Sequence, residues 1–213
     1  LFIGQPLDNV YARSKFEAEK LVLEEMRGGL NANIFRMGNL TNRASDGMFQ
    51  KNYESNAFVQ RVKGIIELGQ CPDYLLRHYV EFTPIDEAAK AVMTAARHFN
   101  TRHNTFHINS TKVVYIDRLM ALFGSLGVKV EITDGAVFTR TLREAAKQSG
   151  TEYLFETFIN DMDENEQLNY DSNIRIDNDV TADYLRRIGF EWGDIGEEYL
   201  SKWVRWFRDV GYW

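Results

Sequence analysis

The chain reads as an α/β fold over its first 110 residues, followed by a mainly helical lobe. Two patterns predict this. Up to Ser110, short apolar segments alternate with amphipathic helical ones, the arrangement of part of a parallel sheet. From Thr111 onward, helical periodicity dominates. Composition agrees: of 213 residues, 44% are apolar and 13% aromatic, enough to bury a core rather than stay disordered.

The elements follow in order. Leu1-Phe-Ile-Gly4 reads as the end of a buried strand, and the absence of an initial methionine leads to the expectation of a piece of a longer polypeptide. Asp8 or Asn9 is positioned to cap a helix from about Val10 to Arg27, stopped by Gly28-Gly29. Ala32 to Met37 is strand-like and closes with Gly38-Asn39, before a polar loop from Thr41 to Lys51. Glu54 to Leu68 places Phe58, Val62, Ile65 and Ile66 on one helical side, with Gly69 as the stop. Tyr79 to Thr83 is a strand, Pro84 opens a helix to about Phe99, and Thr105 to Ile108 alternates as a strand. Beyond it, helices are expected over Ile116 to Leu126, Ala136 to Gln148 and Glu152 to Met162, with a strand at Val128 to Thr133. Asn169 to Asn178 is loop-like, Thr181 caps a helix to about Ile188, and Glu197 to Val210 forms the last helix.

Bulk properties exclude several classes. A net charge of −6 with no basic patch argues against nucleic-acid binding. One cysteine, Cys71, excludes an internal disulfide framework and a cysteine-rich zinc site, and points to a reducing cytoplasm. No apolar run approaches a membrane span. His78, His98, His103 and His107 do not make a metal spacing, and Asp161, Asp163, Glu164 and Glu166 miss the calcium-loop pattern, so a solvated acidic turn is expected. Tyr199, Trp203, Val204, Phe207 and Val210 recur at helical spacing and read as core. Cys71, beside Pro72, has no activating neighbour in sequence.

The candidate chemistry lies in Tyr11-Ala-Arg-Ser-Lys15, where a spacing of four puts both side chains on one helix face. An ammonium beside a phenol favours the phenolate, which suits a tyrosine to proton exchange near neutral pH.

With Phe16-Glu-Ala-Glu19 behind it, this run resembles the YxxxK segment of extended short-chain dehydrogenases/reductases. Phe35-Arg-Met-Gly-Asn-Leu-Thr41 and Phe82-Thr-Pro-Ile-Asp-Glu-Ala-Ala89 resemble, in order, later segments of one branch: the terminal thioester reductase domains of nonribosomal peptide synthetases. The resemblance implies the C-terminal part of a Rossmann-like extended reductase, with a reductase core over 1–51 and 77–110. A substrate-binding helical lobe would then occupy 52–76 and 111–213, lining an acyl and pantetheine channel. It further implies that Tyr11 is the proton donor, that Lys15 holds the nicotinamide ribose, and that Gly38 and Asn39 lie near the nicotinamide. NADPH is the implied cofactor, and a phosphopantetheinyl carrier domain bearing an acyl or peptidyl thioester the implied partner.

The glycine-rich dinucleotide fingerprint does not occur in these residues. Gly124-Ser-Leu-Gly127 and Gly193-Asp-Ile-Gly196 have the wrong spacing for it. Little cofactor affinity is therefore expected of this segment alone. Two other readings stay open: an extended reductase or epimerase acting on a nucleotide sugar or small carbonyl compound, and a non-catalytic docking or recognition lobe.

Overall fold

A computed structural model of the protein describes residues 7, 10–98, 105–147, 155, 158–159, 162–163, 165–168 and 176–213. Helix α1 spans Val10–Arg27, and none of its residues is buried among the described ones. It is tied to strand β1, Ile34–Met37, where Arg36 grips Glu19 with two guanidinium nitrogens. β2 is Leu40–Thr41. A 3₁₀ turn at Tyr53–Ser55 leads into α2, Ala57–Leu68. The Asn56 side chain accepts from Val59 N at 3.1 Å at the head of α2, and Gly69 ends it in the left-handed conformation at φ 65°.

The next segment carries a strand that the pattern of the sequence does not announce: β3, Gln70–Pro72, followed by a 3₁₀ helix over Asp73–Arg77. The strand expected over Tyr79 to Thr83 is two, β4 at Tyr79–Glu81 and β5 at Thr83–Pro84. Between them Phe82 is fully buried, and the chain changes partner strand there. α3 is Ile85–Arg97, β6 Thr105–Ile108, β7 Val113–Tyr115 and α4 Ile116–Ser125. β8, Glu131–Thr133, and α5, Gly135–Ala145, complete the middle of the chain. Two helices close it, α6 at Asp179–Arg187 and α7 at Glu197–Asp209. The strand end expected at residues 1–3 lies outside the described residues, as does most of the helix expected over 152–162 and of the loop over 169–178.

Pairing is parallel for β1 with β6, β2 with β5, and β3 with β8, as an α/β chain with helical crossovers requires. β4 and β7 pair antiparallel. Two apolar cores result. The smaller sets Ala88, Ala91 and Ala95 of α3 against Phe106 and Ile108 of β6 and Leu185 of α6. Alanines let the helix lie close to the strand while keeping helix propensity high. The larger core gathers α2, α4, α5 and α7 around Phe82, Trp203 and Phe207.

One local expectation is corrected. Thr181 does not cap α6; its hydroxyl accepts from His107 N at 3.1 Å, binding the helix to β6. Asn178 holds the cap position without a side-chain cap bond, and its side-chain amide donates to Asn109 O. Among the described residues, no helix is long and apolar enough to cross a membrane.

Candidate functional site

The turn after β1 is built by close packing. Gly38 N donates to Ile108 O at 2.9 Å, continuing the β1–β6 ladder. A Cβ at Gly38 would stand 2.0 Å from Glu81 Oε1 and 2.5 Å from Asn109 Cβ, so glycine is required by the protein's own atoms. Asn39 is fixed on three sides: its backbone N donates to Glu81 Oε1 at 3.0 Å, its side-chain amide to Glu81 O at 2.9 Å, and its carbonyl accepts from Thr83 N at 3.0 Å.

Glu81 was not singled out by the sequence. A lone acid before Phe82-Thr-Pro has no pattern to mark it, yet its carboxyl is the hub of this turn. Thr83 Oγ1 accepts from Ser110 N at 3.0 Å, which leaves its hydroxyl hydrogen to donate to Glu81 Oε1 at 2.6 Å. Burial disfavours the charged form and raises the Glu81 pKa above the ordinary value, against the pull of the Thr83 and Asn39 hydrogen bonds.

Glu81 and Asn39 line a cavity of about 590 Å³. Its apolar wall comes from Phe58, Val62 and Ile65 of α2, with Leu75 and Ile116. The polar lining adds Asn109, Ser110 and Asp177 to Asp179 to Asn39 and Glu81. A mostly apolar hollow with a few fixed polar groups is the usual form of a small-molecule site.

Tyr11 and Lys15 do share a face of α1, and the Lys15 ammonium sits 5.2 Å from the centre of the Tyr11 ring. Tyr11 is 71% exposed. Neither residue lines the cavity, nor does Gly38. The sequence-predicted groups therefore fall into two pairs, Tyr11 with Lys15 on α1 and Gly38 with Asn39 at the end of β1, and only Asn39 reaches the hollow.

Asp86, from the Phe82-Thr-Pro-Ile-Asp run, clamps the loop after β2. Its carboxylate accepts from Ala44 N at 2.9 Å, Ser45 N at 3.2 Å and Glu87 N at 3.1 Å. Burial alone would raise its pKa, but these hydrogen bonds outweigh it and hold the group below the usual carboxylate range. A depressed folded pKa contributes stability that is fully present above the unfolded value and is lost as pH falls through the folded one. The stability advantage of the wild type over Asp86→Asn is thus expected to be present at pH 7 and to shrink below about pH 4. Denaturant melts of both proteins across pH 7 to 2.5 measure it; an advantage that grows on acidification would contradict the clamp.

Cys71 is fully buried, and burial pushes its thiol up to about 12, which removes it as a nucleophile. Among the described residues no three His, Cys, Asp or Glu side chains are grouped to hold a metal ion.

Residues 3–92 match an NAD-binding family described as "Male sterility protein". A linear gramicidin synthase chain of Brevibacillus parabrevis is 24% identical over 96% of this chain, and the large subunit of L-2-aminoadipate reductase of Candida glabrata is 27% identical over 65%. The chain spans only 4% and 10% of the lengths of these relatives. The structure of a thiolation-reductase di-domain from an archaeal nonribosomal peptide synthetase superposes with a TM-score of 0.85 at 29% identity, covering all of this chain and 43% of that one. The terminal R domain of the myxalamid pathway superposes at 0.79, covering 98% of this chain and 53% of its own, and at 20% identity it speaks for the fold alone.

Proposed function

We propose that this chain, which resembles the terminal reductase domains of nonribosomal peptide synthetases in sequence and in extended-reductase fold, forms the C-terminal part of an NADPH-dependent thioester reductase. Its substrate on this reading is an acyl or peptidyl thioester on the phosphopantetheine arm of a carrier domain, released as an aldehyde or, after a second reduction, an alcohol. The observation that carries the reading is the face of α1, where the Lys15 ammonium lies 5.2 Å over the Tyr11 ring.

The residues present fit the nicotinamide-ribose end of the cofactor. Lys15 is exposed on α1 with three donors for ribose hydroxyls. Gly38 and Asn39 form a rigid turn whose Asn39 faces the cavity. When bound, a reduced nicotinamide supplies the hydride. Tyr11 donates a hydrogen bond and then a proton to the carbonyl oxygen as negative charge develops there. The thiohemiacetal so formed expels the pantetheine thiol. The apolar wall of Phe58, Val62 and Ile65 offers the acyl chain a hollow to occupy. The division of labour is a reductase core over 1–51 and 77–110 and a substrate lobe over 52–76 and 111–213.

The test uses the full-length protein. NADPH consumption should depend on an acyl-pantetheine thioester, with the aldehyde trapped as its oxime and with weaker turnover on NADH. Consumption with a nucleotide sugar or a simple ketone, and none with the thioester, would replace this reading with that of another extended reductase.

A further inference from the structure

The Glu81 carboxyl has two unlike oxygens. Oε1 receives both hydrogen bonds, from Asn39 N at 3.0 Å and from Thr83 Oγ1 at 2.6 Å, and Thr83 is itself held by Ser110 N at 3.0 Å. Among the described residues, Oε2 receives no hydrogen bond that would account for it, while the residue lines the 590 Å³ cavity. A carboxylate carries about four lone-pair positions over its two oxygens, so half of this group's accepting capacity stays open. The side chain is not free to turn away. Rotating it would break two hydrogen bonds and withdraw Oε1 from the space that Gly38 leaves open, 2.0 Å from the position of a missing Cβ.

The placement of this acceptor is what gives it a use. It is bonded to Asn39, the cavity-lining residue of the turn after β1. Asp177 and Asp179 also line the cavity and add to its acidity. An acceptor of this kind, oriented and partly desolvated, recognises an N–H donor and discriminates strongly against a group that has none, because the lost partner leaves a buried polar atom unpaired.

We propose that Glu81 determines acyl specificity: its Oε2 accepts a hydrogen bond from an N–H borne next to the thioester carbonyl, so that the site takes α-amido or α-amino acyl thioesters in preference to plain fatty acyl ones. The inference rests on the thioester reductase reading given above. The nitrogen lies two bonds from the reacting carbon, and its hydrogen bond fixes the rotation of the acyl group about the bond to the carbonyl. The remainder of the acyl group then extends along Phe58, Val62 and Ile65.

The test compares two pantetheine thioesters with the full-length protein: an N-acetylaminoacyl thioester, and its analogue of equal length in which a methylene replaces the α N–H. The variant is Glu81→Gln. Its amide oxygen can keep the bonds from Asn39 and Thr83, while its nitrogen presents a donor where Oε2 accepted. For the wild type, kcat/KM should favour the amido substrate by about 10- to 100-fold, the scale of a hydrogen bond to a charged group. In Glu81→Gln that ratio should fall by a similar factor, with a melting transition close to that of the wild type. An unchanged ratio in a folded variant, whether both substrates slow equally or neither does, would overturn the role of Glu81 and reduce it to a clip for the turn. Should Glu81→Gln fail to fold, the wild-type ratio decides: a value near one overturns the proposal. Reduction of neither thioester by the wild type would overturn the reductase reading itself, and this inference with it.

Discussion

Tyr11→Phe in the full-length protein is expected to lower turnover of an acyl-pantetheine thioester by about two to four orders of magnitude, the contribution of a positioned proton donor. The exchange removes one hydroxyl and keeps the ring, so the contact between ring and Lys15 ammonium at 5.2 Å persists. Tyr11 is 71% exposed, and a surface substitution of this kind shifts stability by no more than about 0.5 kcal/mol. A collapse of turnover with an unchanged melting curve therefore isolates the chemistry from folding. The loss should fall on kcat and kcat/KM alike, as for an interaction made chiefly in the transition state. Turnover within threefold of the wild type would remove Tyr11 from the proposed mechanism.

Trp203→Ala carries the largest expected cost in stability, about 3–5 kcal/mol, the range for deleting a large buried aromatic. Trp203 is fully buried on α7 and joins three parts of the larger core. It stacks on Phe58 of α2 at 5.7 Å, meets Phe82 edge-on at 5.2 Å, and lies 6.2 Å from Phe123 of α4. Its indole N–H is buried and has no hydrogen-bond partner among the described residues. Trp203→Phe should accordingly cost far less, since it keeps most of the apolar contact and deletes an unpaired donor. Urea denaturation of the three proteins distinguishes the cases; equal costs for Ala and Phe would mean that the N–H, not the ring, matters there.

How far the sequence could be read depended on whether a residue's role was periodic. Of the stripe Tyr199, Trp203, Val204, Phe207 and Val210, the first four form the core face of α7, while Val210 lies past the end of the helix and is exposed. Gly69 as a helix stop is a local signal that holds, while Pro84, expected in the first turn, ends β5 and stands one residue before α3. β3 and β7 escaped because three-residue strands are too short for alternation to register, and each is defined by a partner more than 30 residues away. Thr181 illustrates the limit of cap chemistry: the residue type is right for a cap, but the tertiary fold offers its hydroxyl the His107 N–H instead. In the candidate site, resemblance to a known segment points to Gly38 and Asn39, of which Asn39 alone lines the cavity, whereas Glu81, Thr83 and Ser110 converge only once β4, β5 and the turn after β6 are folded together.

The Tyr199 hydroxyl contacts Thr41 Oγ1 at 2.8 Å and donates to Asn42 O at 3.1 Å, joining residues 158 and 157 positions apart. Burial raises the pKa of this phenol strongly, so it stays protonated and the clasp holds across the physiological range. Such a bond sets a timetable. During synthesis the segment around Thr41 leaves the ribosome long before Tyr199, and at about 5–20 residues per second the wait is on the order of ten seconds. For that interval Phe49, Phe58 and Phe82 lack the helix that covers them, so the nascent chain is most exposed to aggregation just before α7 emerges.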